Sequence, residues 1–197
     1  MVNYETGAYL VKFARKTIEN SFRGRDESPV ENLSELYLKR GAFVTLRKYP
    51  NNELRGCIGF IKPIYPLIVA VKEAALSAAF NDPRFPPLRE QELPHITIEV
   101  SILTEPELIK VKDRRSLPRL VRCGIDGLII ERGIFSGVLL PQVCTEFNWD
   151  SETFLSQTCV KAFLRPDCWL DPETKIHRFQ AEIFEEKEPL GEIVKVK

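Results

Sequence analysis

Leu54-Arg55-Gly56-Cys57-Ile58-Gly59-Phe60 is the stretch on which the reading of this chain turns. Taken as a β-strand, its period of two sends Leu54, Gly56, Ile58 and Phe60 to one face and Arg55, Cys57 and Gly59 to the other. The first set suits a core. The second sets a guanidinium two residues from a thiol, an electropositive setting of the kind that favours thiolate. Two glycines inside one strand mark a bulge, or a close approach by a ligand or another backbone. The pattern therefore makes Cys57 a candidate reactive thiol and Arg55, Gly56 and Gly59 candidate ligand contacts.

Working outward, Ala42 to Lys48 reads as a second strand, and Tyr49-Pro50-Asn51-Asn52-Glu53 supplies the turn chemistry between the two. A hairpin with Lys48 opposite Leu54 sets Thr45 opposite Cys57 and Phe43 over Gly59, a known shelter for a strand glycine. The same register brings Arg47 opposite Arg55, an unfavourable pairing unless an anion or carboxylate lies between them. Ile96 to Ile102 alternates apolar and polar residues and ends near Leu103. If this strand joins the hairpin, Glu99, Ser101, Thr45, Arg55 and Cys57 share one polar face. Glu99 is then the candidate acid or base beside the thiol. Asp82 and Arg84, on a proline-stiffened loop, are expected to enter the same cleft as ligand contacts.

Several blocks in this order resemble the AMMECR family. They are Gly41-Ala42-Phe43-Val44-Thr45, Arg55-Gly56-Cys57-Ile58-Gly59, Asp82-Pro83-Arg84-Phe85-Pro86-Pro87-Leu88, Glu99-Val100-Ser101, Gly124-Ile125-Asp126-Gly127, Leu140-Pro141-Gln142-Val143 and Trp149-Asp150. Together they span most of the chain, which looks like a stand-alone archaeal or bacterial-type member. The resemblance implies one domain over residues 1–197 with two unequal α+β lobes and the Leu54–Phe60 strand near their junction. It implies no particular reaction, and suggests housekeeping work near transcription, translation or repair. The family often carries His-Gly where this chain has Asp126-Gly127, so no histidine role carries over.

The remaining segments support an α+β chain. Residues 5–22 carry an amphipathic helical stripe at Leu10, Phe13, Ala14 and Ile18, with Lys12, Arg15, Lys16 and Glu19 off it. A loop is expected from Arg23 to Ser34, then a short helix to Lys39 with Gly41 as its cap. Ile64 to Phe80 is the strongest helix, with Ile64, Leu67, Ile68, Val71, Ala75, Ala78 and Ala79 on its buried face and Pro66 in its first turn. Leu128 to Glu131 and Ile134 to Leu140 form a hairpin around Arg132-Gly133, and Ser116 is a candidate start for a short helix. Asp150 caps a helix to about Phe163, with Trp149 stapling it to the core. Lys175 to Glu186 reads as one last strand, before a charged tail that is loosely held. Hairpins and helices without regular βαβ alternation predict a mixed, largely antiparallel sheet with packed helices.

Composition narrows the function classes. The 197 residues carry 28 Lys plus Arg and 28 Asp plus Glu, a formal charge of zero that offers no global field to nucleic acid or membranes. No apolar run approaches the roughly 20 residues of a membrane span, so no membrane partner is expected. Five scattered cysteines do not resemble a secreted disulfide framework. They predict a cytoplasmic protein with mostly reduced thiols, in which Cys123, Cys144, Cys159 and Cys168 pack. One methionine and 14 prolines suit a thermophile.

No metal or cofactor is expected, because no Cys-x-x-Cys, paired histidines or phosphate-loop fingerprint is present. His95 and His177 lie outside the blocks quoted above, so a Cys57–histidine pair is not the expected chemistry. The basic run Lys110, Lys112, Arg114, Arg115, Arg119 and Arg122 is the one argument for nucleic acid, with Arg114, Arg115 and Arg119 as its candidate contacts. No aromatic residues interleave with it, as a single-strand platform requires. Two functions remain. In one, a cleft at Cys57 binds or transforms a small polar or anionic ligand. In the other, the signature strand is scaffold and the chain is a non-enzymatic interaction module.

Overall fold

The computed structural model describes residues 2–29 and 33–196. The expected loop from Arg23 to Ser34 therefore lies partly outside the described residues. The chain divides into two compact units, Met1–Leu103 with Glu182–Lys197, and Thr104–Ala181. Both are built of helices on antiparallel strands, an α+β architecture.

The first unit holds helices α1 (Tyr4–Phe22) and α2 (Leu67–Phe80) and strands β1 (Ala42–Lys48), β2 (Glu53–Phe60) and β3 (Ile96–Leu103). In the second unit lie strands β4 (Glu107–Leu108), β5 (Gly127–Arg132) and β6 (Phe135–Leu139), and helices α3 (Pro141–Glu146) and α4 (Ser151–Lys161). Strand β7 (Lys175–Phe179) also belongs there, and β8 (Ala181–Glu186) and β9 (Ile193–Val196) return the chain to the first unit. The sheet orders are β2-β1-β3-β8-β9 and β4-β7-β5-β6.

In the first unit the alternation of β1 and β3 presents Val44, Leu46, Ile98 and Val100 to the apolar faces of α1 and α2, and all four are fully buried. The alanine face of α2 lets that helix approach very closely. At Gly56 an added Cβ would overlap the Ala78 carbonyl oxygen, so only glycine fits there. Asn3 starts α1 by accepting the Thr6 amide at 2.8 Å. Arg15, expected on the solvent side of α1, is buried instead. Its guanidinium donates to Glu186 of β8 at 2.5 Å through both Nε and Nη2, and to the Ile96 carbonyl at 2.8 Å. Glu186 also accepts the Ile98 amide at 3.0 Å, so this buried pair is fully hydrogen-bonded and ties helix to sheet.

Several expectations are corrected. The expected helix at Ser34 is a single 3-10 turn ending at Tyr37, and Gly41 does not cap it. Gly41 sits where a side chain would strike the Phe60 and Ile61 carbonyls. Helix α2 begins at Leu67, with Pro66 at its N-cap and Ile64 exposed. The single strand expected over Lys175–Glu186 is two, divided at Gln180 and pairing in different sheets. The division resets the alternation, so Phe184 rather than Ile183 is the core residue. The tail is not loose up to Val196, because β9 pairs antiparallel with β8.

The core of the second unit gathers Leu128, Ile130, Phe154, Leu155 and Ile176. Asp150 caps α4 as expected, accepting the Thr153 amide at 2.7 Å. The four cysteines read as reduced packing residues form two disulfides, Cys123–Cys144 and Cys159–Cys168. Cys57 is the free cysteine.

Candidate functional site

Cys57 lies on β2, the edge strand of the five-stranded sheet. Thr45 of β1 pairs with Cys57 on one side and Glu99 of β3 on the other, so three adjacent strands align Cys57, Thr45 and Glu99 in one row. The Thr45 hydroxyl donates to the Cys57 sulfur at 3.3 Å. Ser101 donates to Glu99 at 3.1 Å, and the Arg47 guanidinium lies 3.6 Å from the same carboxylate. Thr45, Glu99 and Ser101 are each buried, whereas Cys57 is half-buried. The row is a polar cluster on the face of the sheet opposite its apolar core.

Arg55 departs from the simple hairpin register. Leu46 pairs with Gly56 but Arg47 pairs with Leu54, which leaves Arg55 as the extra residue of a β-bulge. The bulge removes the expected opposition of Arg47 and Arg55. It turns the Arg55 guanidinium to Glu92, which accepts from Nε at 2.7 Å and from Nη2 at 3.1 Å, and to the Pro86 carbonyl at 3.0 Å. Nη1 of the same side chain is buried and has no hydrogen-bond partner among the described residues.

Asp82 and Arg84 do come to Cys57, but to its backbone. An edge strand leaves amide and carbonyl groups free. Here Asp82 accepts the Cys57 amide at 2.9 Å and Arg84 donates to the Cys57 carbonyl at 3.1 Å. The two side chains also bond each other at 2.7 Å, and this hydrogen bond from Arg84 holds the Asp82 carboxyl down at about 2. Phe85 lies beneath both Arg55 and Arg84, with its ring 5.9 and 5.5 Å from the two guanidiniums. At Gly59 the place of a side chain is taken by the Phe43 ring, as the register required.

The electrostatics differ from a thiolate-favouring pocket. Burial pushes the Cys57 thiol above its ordinary value. The Thr45 hydrogen bond pulls it down, the Glu99 carboxylate raises it, and Arg84 and Arg47 act weakly the other way. With Arg55 facing Glu92, the thiol is protonated at neutral pH. Glu185 of β8 joins the cluster: burial, then the charge of Glu99, raise its carboxyl, with Arg47 opposing.

Sequence reading missed Arg47, Glu92 and Glu185 as partners here. The glycine-marked bulge was the available signal for the first two, and the continued alternation past Gln180 concealed the third. The Cys57 thiol is bonded to Thr45 and to neither histidine. Among the described residues no group of three or more His, Cys, Asp or Glu side chains is placed to hold a metal ion.

The other candidates lie in the second unit. Arg114 donates to the backbone carbonyls of Asp171, at 2.7 Å, and of Thr174, and so braces a loop. Arg115 and Arg119 are exposed on the same 3-10 segment. Asp126 is fully buried; its burial raises its carboxyl, but the hydrogen bonds from Arg122 and Gln180 outweigh this and hold it low.

Comparison with known proteins places this arrangement. Residues 11–184 match the AMMECR1 family. A protein of Thermococcus gammatolerans is 55% identical over 194 residues, covering 96% of this chain and 94% of the relative. Protein MJ0810 of Methanocaldococcus jannaschii is 50% identical over 198 residues, covering 100% and 98%. The crystal structure of the uncharacterized protein PH0010 from Pyrococcus horikoshii superposes with a TM-score of 0.93 at 49% identity, over 99% of this chain and 98% of that one. Family match, sequence identity and fold agree over most of the chain, and the chain belongs to the AMMECR1 family.

Proposed function

We propose that this protein binds a small polar ligand on the polar face of its five-stranded sheet at Cys57. The observation that carries the proposal is the cross-strand row in which half-buried Cys57 lines up with buried Thr45 and Glu99. Desolvating a carboxylate and hydroxyls on a sheet face is unfavourable unless partners compensate, and polar groups kept there suit recognition of a polar molecule. Cys57 contacts the ligand as a neutral thiol, and Glu99 accepts its hydrogen bonds or a proton. Use of Cys57 as a nucleophile requires a base to take its proton, and Glu99 is the carboxylate whose charge the thiol feels. The protein works in the cytoplasm. Intracellular disulfides occur in proteins of hyperthermophiles, and one methionine with 14 prolines suits such a source.

The test is to denature the purified protein and compare the released small molecules by mass spectrometry with those from Cys57→Ser and Glu99→Gln. A polar compound present with the native chain and depleted about tenfold in both variants, equivalent to about 1.4 kcal/mol of lost binding, is expected. Identical profiles from all three proteins would contradict the proposal.

A second reading has its own support. Arg55, Gly56, Gly59, Asp82 and Arg84 each have a structural partner inside the first unit, so the signature also serves as scaffold for an interaction module in a housekeeping complex. Affinity capture that loses a partner with Arg55→Ala and keeps it with Cys57→Ser favours that reading.

A further inference from the structure

The second unit carries an apolar groove that the proposed function does not use. Its walls are Val143 of α3, Phe147 just beyond that helix, Trp149, and Val160 and Phe163 at the end of α4, around a volume of about 460 Å³. Phe147 and Trp149 stack with ring centroids 4.9 Å apart and planes at 17°, and 62% of Phe147 is exposed. Two polar side chains one helical turn apart on α4, Gln157 and Lys161, complete the lining. Lys161 is exposed and makes no ion pair among the described residues.

Phe163 is placed unusually. It follows α4 with φ +59°, and the Leu164 amide reaches back to the Cys159 carbonyl at 3.0 Å, a helix end that ordinarily takes glycine. A bulky residue in this conformation is strained, and 88% of the side chain is exposed, so internal packing does not explain it. Each wall is also covalently braced. Cys144 of α3 is joined to Cys123, and Cys159 of α4 to Cys168, closing the loop that carries Phe163. Gly137 of β6 admits the end of α4 at a distance where any side chain would strike Ala162.

We infer that this groove is a preformed binding site for a planar aromatic anion. Its volume is that of a small-ligand cleft, apolar with a few converging polar groups. The outward face of the Phe147–Trp149 stack offers a surface parallel to a flat ring. Lys161 supplies the charge complement, and Gln157 a hydrogen bond. Bracing of both walls lowers the ordering loss on binding. A protein partner would need about 800 Å² of surface per side, far more than this groove presents.

The probes are 1-anilinonaphthalene-8-sulfonate and its uncharged relative N-phenyl-1-naphthylamine, titrated by fluorescence against the intact oxidised chain. Both are expected to saturate one site. Phe163→Gly, which suits the helix end and keeps the fold, removes one wall and is expected to weaken both probes about fivefold or more. Lys161→Gln is expected to weaken the sulfonate about fivefold and leave the uncharged amine within about twofold, since only one probe carries charge. Unchanged affinity of both probes for Phe163→Gly and for Phe147→Ser would overturn the site. Equal loss of both probes in Lys161→Gln would overturn its preference for anions.

Discussion

At Gly56 the β2 strand meets the backbone of α2, so the residue is there for space rather than flexibility. Gly56→Ala is expected to destabilise the protein by about 2–3 kcal/mol, the cost of overpacking where the neighbour is a helix backbone that cannot swing aside; urea unfolding measures it. Glu185 gives a test of opposite sign. Burial and Glu99 raise its carboxyl, so the unfolded chain ionises first as pH rises, and stability is lost through that interval. Glu185→Gln is therefore expected to be more stable than the native chain at pH 7, with the advantage vanishing below about pH 4, where both states are protonated. Much of this residue-scale detail was legible beforehand. Period-two alternation and the turn at Tyr49-Pro50 put Thr45 opposite Cys57 and Phe43 over Gly59, and both pairings hold. The direction of the Arg55 side chain was not legible, because a bulge adds one residue without changing composition. That single residue carries the guanidinium from the expected anion site to Glu92.

Among the elements, the segment Asp82–Leu88 serves as the closure of an edge strand. Asp82 and Arg84 satisfy the free amide and carbonyl of Cys57, and the Leu88 amide returns to Ala79 at 2.8 Å. The Asp82 carboxyl, at about 2 in the fold, contributes stability fully above its unfolded value near 4 and loses it as pH falls through about 2. Asp82→Asn is expected to lose about 1–2 kcal/mol at pH 7, with the difference closing between about pH 4 and 2 in thermal melts. Helix α1 depends similarly on one charge. Arg15→Ala strands Glu186 in the core and is expected to cost about 3–5 kcal/mol, seen as a lowered urea midpoint. The long elements were legible because their apolar periodicity extends over many residues, as in α1, α2 and β3. The switch at Gln180 was not, because Phe179, Ala181 and Ile183 alternate across it in the sequence while the hydrogen-bonding partner changes from one sheet to the other. Helix α3 was missed because six residues hold too little periodicity to detect.

Over the whole molecule, the chain keeps its chemistry in two distinct settings. The first unit places a neutral thiol in a polar row on a sheet; the second braces an aromatic groove with two disulfides. Those disulfides were invisible in the sequence, since separations of 21 and 9 residues form no recognised framework and five scattered cysteines implied a reducing compartment. The central claim is that Cys57 is the available thiol and is protonated at neutral pH. The most direct measurement is the alkylation of the unreduced native protein against pH, resolved cysteine by cysteine by peptide mapping. The expected result is one labelled site, Cys57, whose rate rises with a midpoint above the ordinary thiol value of about 8.5, while Cys123, Cys144, Cys159 and Cys168 stay unlabelled. Rapid labelling of Cys57 with a midpoint below about 7 would contradict the account, because it would show a stabilised thiolate where the structure holds a neutral thiol.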